Sequence, residues 1–348
     1  ALILGLELEN KLGALAMPQV AQRGWHATSV FGPLGAAAAG AKLARLGPNR
    51  FVSALALAAT HSGGLRANFG TTAKPYHAGL AAHDGLRAAL LARLGLTASS
   101  HALEGDDGFL KTFAGLAGIR REPGFGQPWD LIEPGLAVKA YPCCSGSHPA
   151  LDCLLDLLAE HPFKAGEVRS IRVGVSLLGP RELVCHDPKS PLAATFSLEY
   201  VLAAAIVFGR LGLAQFGPEA LANHQVRALM PKIQMEVDPE LAALGFIGTA
   251  PAKLKIRLSH GRELTSRRDL ARGNPEKPLS QAELENKFMG CAGQTITKEA
   301  SQKLLELLWT IDQEPDLNRI MDLCNPGSPC CRSSIGERST SSGLHRST

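Results

Sequence analysis

Lysine and histidine side chains stand at three places in the chain where they could move protons or hold a carboxylate. The stretches read GWHATS, TTAKPYHAG and KAYPCCSGSH. Their chemistry-bearing residues are, in chain order, His26, Thr72, Lys74, His77, Lys139, Cys144 and His148. An imidazole with its ordinary pKa exchanges protons near neutral pH, and ammonium groups hold carboxylates. These residue types favour acid–base chemistry on an anionic small molecule.

The second stretch joins a loop to an alanine-rich helical pattern. Because the residue before a proline is pushed out of the α region, we expect Lys74, which precedes Pro75, to lie outside the helix. Thr71 and Thr72 would donate hydrogen bonds to a carboxylate, and the free N–H groups of the helix start favour the same anion. A solvated lysine ahead of a capped helix explains these residues equally well, so both interpretations stay open.

The other two stretches also have ordinary structural explanations. On the residue alone, His26 is best explained as a histidine that precedes a helix and bonds to the backbone. Cys144 could be a nucleophile paired with His148, although no other sequence feature supports that role. The eight cysteines include no CxxC pair, and the adjacent Cys143 and Cys144 have no second ligand pair. A metal site is therefore not expected.

The glycine-rich stretch GPLGAAAAG could be mistaken for a nucleotide-binding loop. It matches neither GxGxxG nor the P-loop, and the HATSVF segment around its start is a poor buried strand. A nucleotide-dependent oxidoreductase is therefore not supported. Close packing between helices through small side chains is the better interpretation.

The composition is that of a globular protein, with 348 residues, 45% hydrophobic and 20% charged, and a net charge of +4. Acidic and basic residues are interspersed, which excludes a basic stripe for nucleic acid. No apolar run has the length of a membrane span, and scattered cysteines favour the reducing cytoplasm. The chain begins as if already inside a helix and without an initiator methionine, which we interpret as a missing amino-terminal segment.

The hydrophobic pattern divides the chain into four segments. Residues 1–133 read as helix after helix. Residues 134–271 contain three alternating segments, VRSIRVGVSL, IQMEV and KLKIRL, which are typical of half-buried strands, together with an apolar helix. Residues 272–322 are helical again and include a capping-box pattern, SQAE. The serine-rich tail, 323–348, has no apolar period and is predicted to be disordered.

The chain resembles the MmgE/PrpD family from residue 1 to about residue 322. The resemblance rests on five stretches in this order: GWHATSVFGPLGAAAAGAKLARLG, TTAKPYHAGLAAHDGLRAALLARLGLT, VKAYPCCSGSHPALD, FSLEYVLAAAIVFG and KPLSQAELENKF. The family includes 2-methylcitrate dehydratase, cis-aconitate decarboxylase and iminodisuccinate epimerase. It implies a mainly α fold, with a large all-helical domain plus a smaller α+β lid domain and the active site between them. It also implies a homodimer without metal or organic cofactor that moves a proton next to a carboxylate of a small di- or tricarboxylate.

The residues and the resemblance together predict a set of roles. Catalytic roles are predicted for His26, Lys74, Cys144 and His148, and substrate binding for Thr72, His77 and Lys139. Cys144 stands where the decarboxylase branch has an active-site histidine, which argues against cis-aconitate decarboxylation. The family's upstream segment, with the sense D-F-D-D-T-H, is absent from this sequence. The alternative to a dehydratase-type lyase or an isomerase is therefore an inactive truncated relic or a carboxylate-binding subunit.

Overall fold

The chain separates into two compact units in a computed structural model that describes residues 1–117, 124–245 and 248–325. The first unit is formed by residues 1–278 and the second by residues 279–348.

The first unit contains most of the helices and is the unit that positions the candidate site. In chain order its α-helices are α1 (Leu2–Ala16), α2 (Gln19–Gln22), α3 (Ala27–Leu43), α4 (Pro48–Thr60), α5 (Ala73–Arg93), α6 (His148–Glu160), α7 (Gly179–Glu182), α8 (Pro191–Ala194), α9 (Leu198–Phe208), α10 (Pro218–Ala222), α11 (His224–Leu229) and α12 (Pro239–Ala242). Helices α1, α3, α4 and α5 pack on one another, whereas α6 and α9 pack against the sheet.

Helices α3 and α5 approach closely because small residues line their shared face. A Cβ atom built on Gly85 of α5 would lie only 2.6 Å from the Cβ atom of Ala36. One turn further along both helices, a Cβ atom on Gly40 would lie 3.1 Å from the Cβ atom of Ala89. The contacts advance together along the two helices, so α3 and α5 run parallel and begin at the same end. The glycine-rich stretch thus serves helix packing, as the sequence indicates.

The sheet of the first unit has four strands within the described residues. They are β1 (Val168–Val175), β2 (Ile233–Val237), β3 (Ala252–Leu258) and β4 (Glu263–Arg268). The order is β2-β1-β3-β4, with β1 and β2 parallel and the other two pairs antiparallel. The three alternating sequence segments form β1, β2 and β3. The turn between β3 and β4 contains Gly261 at a φ of +89°, which suits glycine.

Helix α9 forms the centre of the core beneath this sheet. Its residues 198–206 are all buried, as expected of a helix that is apolar on every face. The same apolar cluster includes Leu154 of α6, Ile171 of β1 and Ile256 of β3. The core therefore joins two helices to one face of the sheet.

The predicted fold class, a large all-helical domain plus a smaller α+β lid domain, is wrong. Helices do predominate in the chain. However, the helices of residues 1–117 and the four-stranded mixed sheet belong to one compact unit, and the other unit contains the closing helices. A hydrophobic period distinguishes a helix from a strand, but it does not say which elements share a compact unit. The boundaries at 133 and 271 stay a prediction.

The second unit is described as far as residue 325. It consists of α13 (Gln281–Ala292), α14 (Lys298–Trp309) and α15 (Asn318–Cys324). Helix α13 begins with the predicted capping box, in which the Ser280 hydroxyl accepts the Glu283 N–H and the Glu283 carboxylate accepts the Ser280 N–H. Residues 326–348 of the predicted tail lie outside the described residues.

Substitution by alanine should raise the free energy of unfolding at one glycine of α5 and lower it at another. A Cβ atom at Gly79 meets nothing within 4 Å, so Gly79→Ala should stabilise the protein by about 0.5–1 kcal/mol through helix propensity. A Cβ atom at Gly85 pushes α3 away, and such overpacking costs about 1–3 kcal/mol. Urea unfolding followed by circular dichroism gives both free energies. A Gly85→Ala variant as stable as Gly79→Ala would contradict the close approach.

Candidate active site

The parallel packing of α3 and α5 brings together two of the predicted histidines. His26 directly precedes α3, and His77 lies near the start of α5. Both are buried, with 8% and 7% of their surfaces exposed, and their Nδ1 atoms lie 3.1 Å apart. If one Nδ1 carries the hydrogen, the other accepts it, so both imidazoles can be neutral and still satisfied.

A glycine holds the backbone at this histidine pair. The His26 N–H donates to the Gly64 carbonyl oxygen at 2.9 Å. Gly64 has a φ of +90°, and a Cβ atom there would lie 2.7 Å from the Cβ atom of Ser29 and 3.3 Å from the Nδ1 atom of His77. A side chain at residue 64 would therefore disturb both the backbone conformation and the imidazole pair.

His26 does not keep the pKa of an ordinary histidine. Burial lowers the pKa of His26 to about 4, and the neighbouring Lys74, His77 and Arg66 act in the same direction. Proton exchange at neutral pH, which the ordinary pKa of an imidazole would favour, does not fit this lowered pKa, and the catalytic role of His26 stays a prediction. Its ring is neutral at pH 7, where it can donate or accept a hydrogen bond but does not serve as an imidazolium acid.

Lys74 lies within helix α5 rather than before it. The helix begins at Ala73, and the exposed Thr72 occupies the N-cap position without a capping bond from its side chain. The expectation that Pro75 keeps Lys74 out of the helix is wrong. The N–H groups of a first helical turn have no partner inside the helix, so a proline there removes no helical hydrogen bond.

The ammonium group of Lys74 is half-buried against two aromatic rings. Its Nζ atom lies 4.0 Å from the ring centroid of Phe69 and 4.3 Å from that of Phe196. Such contacts stabilise a cation that has lost part of its hydration. Burial lowers the pKa of Lys74, and the nearby cations Lys139 and Arg66 act in the same direction. The site therefore holds positive charge in partly desolvated surroundings.

The predicted Lys139 and Cys144 lie in the same cluster. The Lys139 ammonium donates to the Cys143 carbonyl oxygen at 3.1 Å, and the Cys144 N–H donates to the Thr195 carbonyl oxygen at 2.8 Å. The Cys144 thiol donates to the Oε2 atom of Glu182, with the sulfur at 3.9 Å. Burial, together with the charge of Glu182, raises the pKa of Cys144 to about 11. Cys144 is thus a protonated thiol at neutral pH.

Glu182 is the residue of this cluster that the sequence analysis missed. It ends the short helix α7, which closely follows β1. Burial raises the pKa of Glu182, while Arg66, Lys74 and Lys139 lower it in part. The segment GPRELVC carries no motif or spacing that marks this carboxylate, because only the packing of α7 brings it to the cations. An isolated acidic residue in a sequence is usually solvated.

His148 is the first residue of α6 and packs edge-on against Tyr141, with ring centroids 5.1 Å apart. The Tyr141 hydroxyl donates to the Asp152 carboxylate at 2.6 Å, and this carboxylate also accepts the Arg272 N–H at 2.7 Å. This network fixes the segment before α6, which carries the lysine and the thiol of the cluster. The catalytic role of His148 stays a prediction, as does substrate binding by Thr72.

Two further properties concern residues 1–117, 124–245 and 248–325. Within them, no three His, Cys, Asp or Glu side chains converge in a way that could hold a metal ion. The helices of the same residues are too short or too polar for any of them to cross a bilayer.

Family models match both halves of the chain. The MmgE/PrpD N-terminal domain matches residues 1–122, and the MmgE/PrpD C-terminal domain matches residues 141–313. The chain is 28% identical to the cis-aconitate decarboxylase of Homo sapiens, over 95% of this chain and 71% of that protein. It is 28% identical to the Mus musculus cis-aconitate decarboxylase, over 84% and 60%. It is 29% identical to the cis-aconitate decarboxylase-like protein oryM of Aspergillus oryzae, over 93% and 70%.

Replacing the neighbouring cation should raise the pKa of His26. In the wild-type protein, NMR titration should show His26 neutral down to about pH 4. Lys74→Met removes the positive charge and keeps an apolar side chain, so the titration midpoint should move upward. Lys42→Met, in the last turn of α3, is the control and should leave it unchanged. A wild-type midpoint near the ordinary histidine pKa of 6.5 would contradict the effect of burial.

The same ring should make stability depend on pH. Unfolded His26 binds its proton near pH 6.5, whereas the folded residue binds it only near pH 4. Because the unfolded state binds more protons between these values, the stabilisation is complete above pH 6.5 and is lost as the pH falls toward 4. Urea unfolding across this interval should show a smaller pH dependence in His26→Gln than in the wild type. Equal slopes would contradict the assignment.

Proposed function

The chain belongs to the MmgE/PrpD family, and we propose that it is a dehydratase-type lyase or an isomerase acting on a small di- or tricarboxylate such as 2-methylcitrate. The reaction moves a proton on the carbon next to a carboxylate and uses no cofactor. The similarity to cis-aconitate decarboxylases supports a lyase-type activity on a carboxylate. From the family resemblance we also propose a cytoplasmic homodimer.

One observation carries this proposal, the cluster of cations around a half-buried carboxylate. Arg66, Lys74 and Lys139 all act on the charge of Glu182. With His26 neutral, the cluster keeps an excess of positive charge. Cations held together in partly desolvated surroundings repel one another, and a bound carboxylate relieves that repulsion. The site is therefore suited to an acid with more than one carboxylate.

The same charges suit the chemical step. Removing a proton from the carbon next to a carboxylate places negative charge on that carboxylate. The Lys74 ammonium, held between the rings of Phe69 and Phe196, is fixed before the reaction and needs no reorganisation to stabilise the developing charge. The pair of His26 and His77 adds hydrogen-bonding capacity, and His26 adds no positive charge at neutral pH.

Decarboxylation of cis-aconitate is a second candidate, because it is the activity named for the relatives. Loss of carbon dioxide also leaves negative charge next to a carboxylate, so the same cations would stabilise it. The family resemblance places an active-site histidine of the decarboxylase branch at Cys144. A thiol with a pKa of about 11 delivers a proton far less readily than an imidazolium does. We therefore favour dehydration or isomerisation.

Lys74→Met should abolish turnover and leave the fold intact. Proton NMR in D₂O would follow the full chain with 2-methylcitrate, citrate and cis-aconitate, recording substrate loss and deuterium entry at carbon. Removing a preorganised group that stabilises developing negative charge should slow the reaction by about 10²-fold or more. Lys42→Met is the matched control and should keep the wild-type rate. Loss of carbon dioxide from cis-aconitate would identify the second candidate.

Other outcomes of this experiment would reject parts of the proposal. Near-normal turnover by Lys74→Met would remove Lys74 from the mechanism. A wild-type protein with dispersed methyl signals that binds these acids without turnover or exchange would be a carboxylate-binding subunit and not an enzyme.

A further inference from the structure

The position of the Glu182 carboxylate is fixed from two sides. On one side, the Arg66 guanidinium donates to the carbonyl oxygen of Arg181, the preceding residue, at 3.2 Å. On the other side lies Gly146, where a Cβ atom would come within 2.9 Å of the Oε2 atom of Glu182. A side chain at residue 146 would displace the carboxylate. The local structure thus places this acid in the cluster, against a backbone position that has no room for a side chain.

The Cys144 thiol is the hydrogen-bond donor to this carboxylate. Its sulfur lies 3.9 Å from the Oε2 atom of Glu182, and its own backbone is fixed by the bond from its N–H to Thr195. Because the thiol stays protonated at neutral pH, it can donate and does not repel the carboxylate. Cys144 therefore supports the ionised form of Glu182.

The groups that face Glu182 come from three parts of the first unit. Arg66 lies in the connection between α4 and α5, Lys74 in α5, and both Lys139 and Cys144 in the segment before α6. These four side chains favour the charged form of Glu182, whereas burial favours its neutral form. A carboxyl under such opposed influences changes protonation when its surroundings change.

The cationic groups of the cluster and His26 are poor proton acceptors. Lys74 and Arg66 are cations. The Nδ1 atoms of His26 and His77 are engaged with each other, and the pKa of His26 is lowered to about 4. Glu182 is the carboxylate of the described cluster, and the Cys144 thiol is its hydrogen-bond donor.

We propose that Glu182 is the catalytic base of this site and that Cys144 positions its carboxylate. This inference rests on the proposed function and names the residue that performs its proton step. Ionised Glu182 takes the proton from the substrate carbon next to a carboxylate, the C–H bond breaks, and its electron pair passes into that carboxylate beside Lys74. Protonated Glu182 then returns the proton. It goes either to the same carbon or to a β-hydroxyl group, which leaves as water while the electron pair forms the double bond.

Substrate binding itself prepares this base. The carboxylates of the substrate neutralise Arg66, Lys74 and Lys139, which before binding favour the charged form of Glu182. Burial then dominates, and the affinity of Glu182 for a proton rises. The ionised fraction of Glu182 is then a stronger base, and a further fraction takes up a proton from solution. Binding should therefore be accompanied by uptake of less than one proton per site, which can be measured without turnover.

The first test compares Glu182→Gln with Glu219→Gln, a substitution of an exposed glutamate at the start of α10. Calorimetry with citrate, in buffers of different ionisation enthalpy, measures affinity and proton uptake. Deuterium exchange and turnover are followed with the same substrates as above. Glu182→Gln should bind citrate at least as tightly as the wild type, without the proton uptake. Its exchange rate should fall by about 10²–10⁴-fold, while Glu219→Gln matches the wild type.

The second test uses the pH profile to separate positioning from simple structural support. The wild-type rate should fall at acid pH as Glu182 becomes protonated. Cys144→Ala removes the donor to the ionised form, so this acid limb should move to higher pH. Cys144→Ser keeps a hydrogen-bond donor, so its acid limb should move to higher pH by less than that of Cys144→Ala. An acid limb that stays unchanged in both variants would overturn the role of Cys144.

The outcomes separate this inference from the proposed function. Exchange and proton uptake in Glu182→Gln within a few-fold of the wild type would overturn Glu182 alone. A wild-type protein without exchange on any of the acids would overturn the proposed function and the base together. Loss of exchange in Glu182→Gln with citrate binding retained would establish the assignment.

Discussion

The site depends on the close, parallel approach of α3 and α5. Glycine and alanine residues let the two backbones meet, and Gly85 admits no side chain without a shift of α3. Because the helices run parallel, both amino-terminal ends lie together, and the positive ends of both helix dipoles face one region. The same spacing sets the Nδ1 contact between His26 and His77. Packing at the middle of two helices thus determines the electrostatics at their ends.

Partial burial of charge is the second constraint, and it explains several features that look unrelated. A half-buried ammonium needs either a counter-charge or polarizable neighbours, and Lys74 has both, in Glu182 and in the rings of Phe69 and Phe196. The low pKa of His26 has the same origin, because a further cation beside Lys74 would be unfavourable. His26 therefore remains neutral at pH 7, and its Nδ1 atom shares a hydrogen bond with the Nδ1 atom of His77.

The sequence predicts much of this site but not its assembly. The stretches around His26, Lys74 and Lys139 are recognisable because their residue types and order are distinctive. The arrangement of the helices and the sheet cannot be recognised in this way. A hydrophobic period describes a single element, whereas a shared core is formed by several elements. The conformation of Lys74 was mispredicted for a different reason. The residue before a proline is disfavoured in the α region but not barred from it, and a proline in a first helical turn interrupts no helical hydrogen bond. Glu182 could not be found from the sequence, because its segment has no pattern and the cations around it come from distant parts of the chain.

The Cys144 thiol determines which group of the site can carry a proton in the proposed reaction. In the decarboxylase branch, the family resemblance places a histidine there, and an imidazole can both donate and carry a proton near neutral pH. The Cys144 thiol can donate a hydrogen bond but does not exchange its proton near neutral pH, because burial and the nearby carboxylate raise its pKa. A site that moves protons must then carry them on another group. Glu182 lies within reach of the thiol, is partly buried, and is balanced by three cations. In the mechanism that we propose, the Glu182 carboxylate performs the proton transfer that the thiol does not, and Gly146 makes room for that carboxylate.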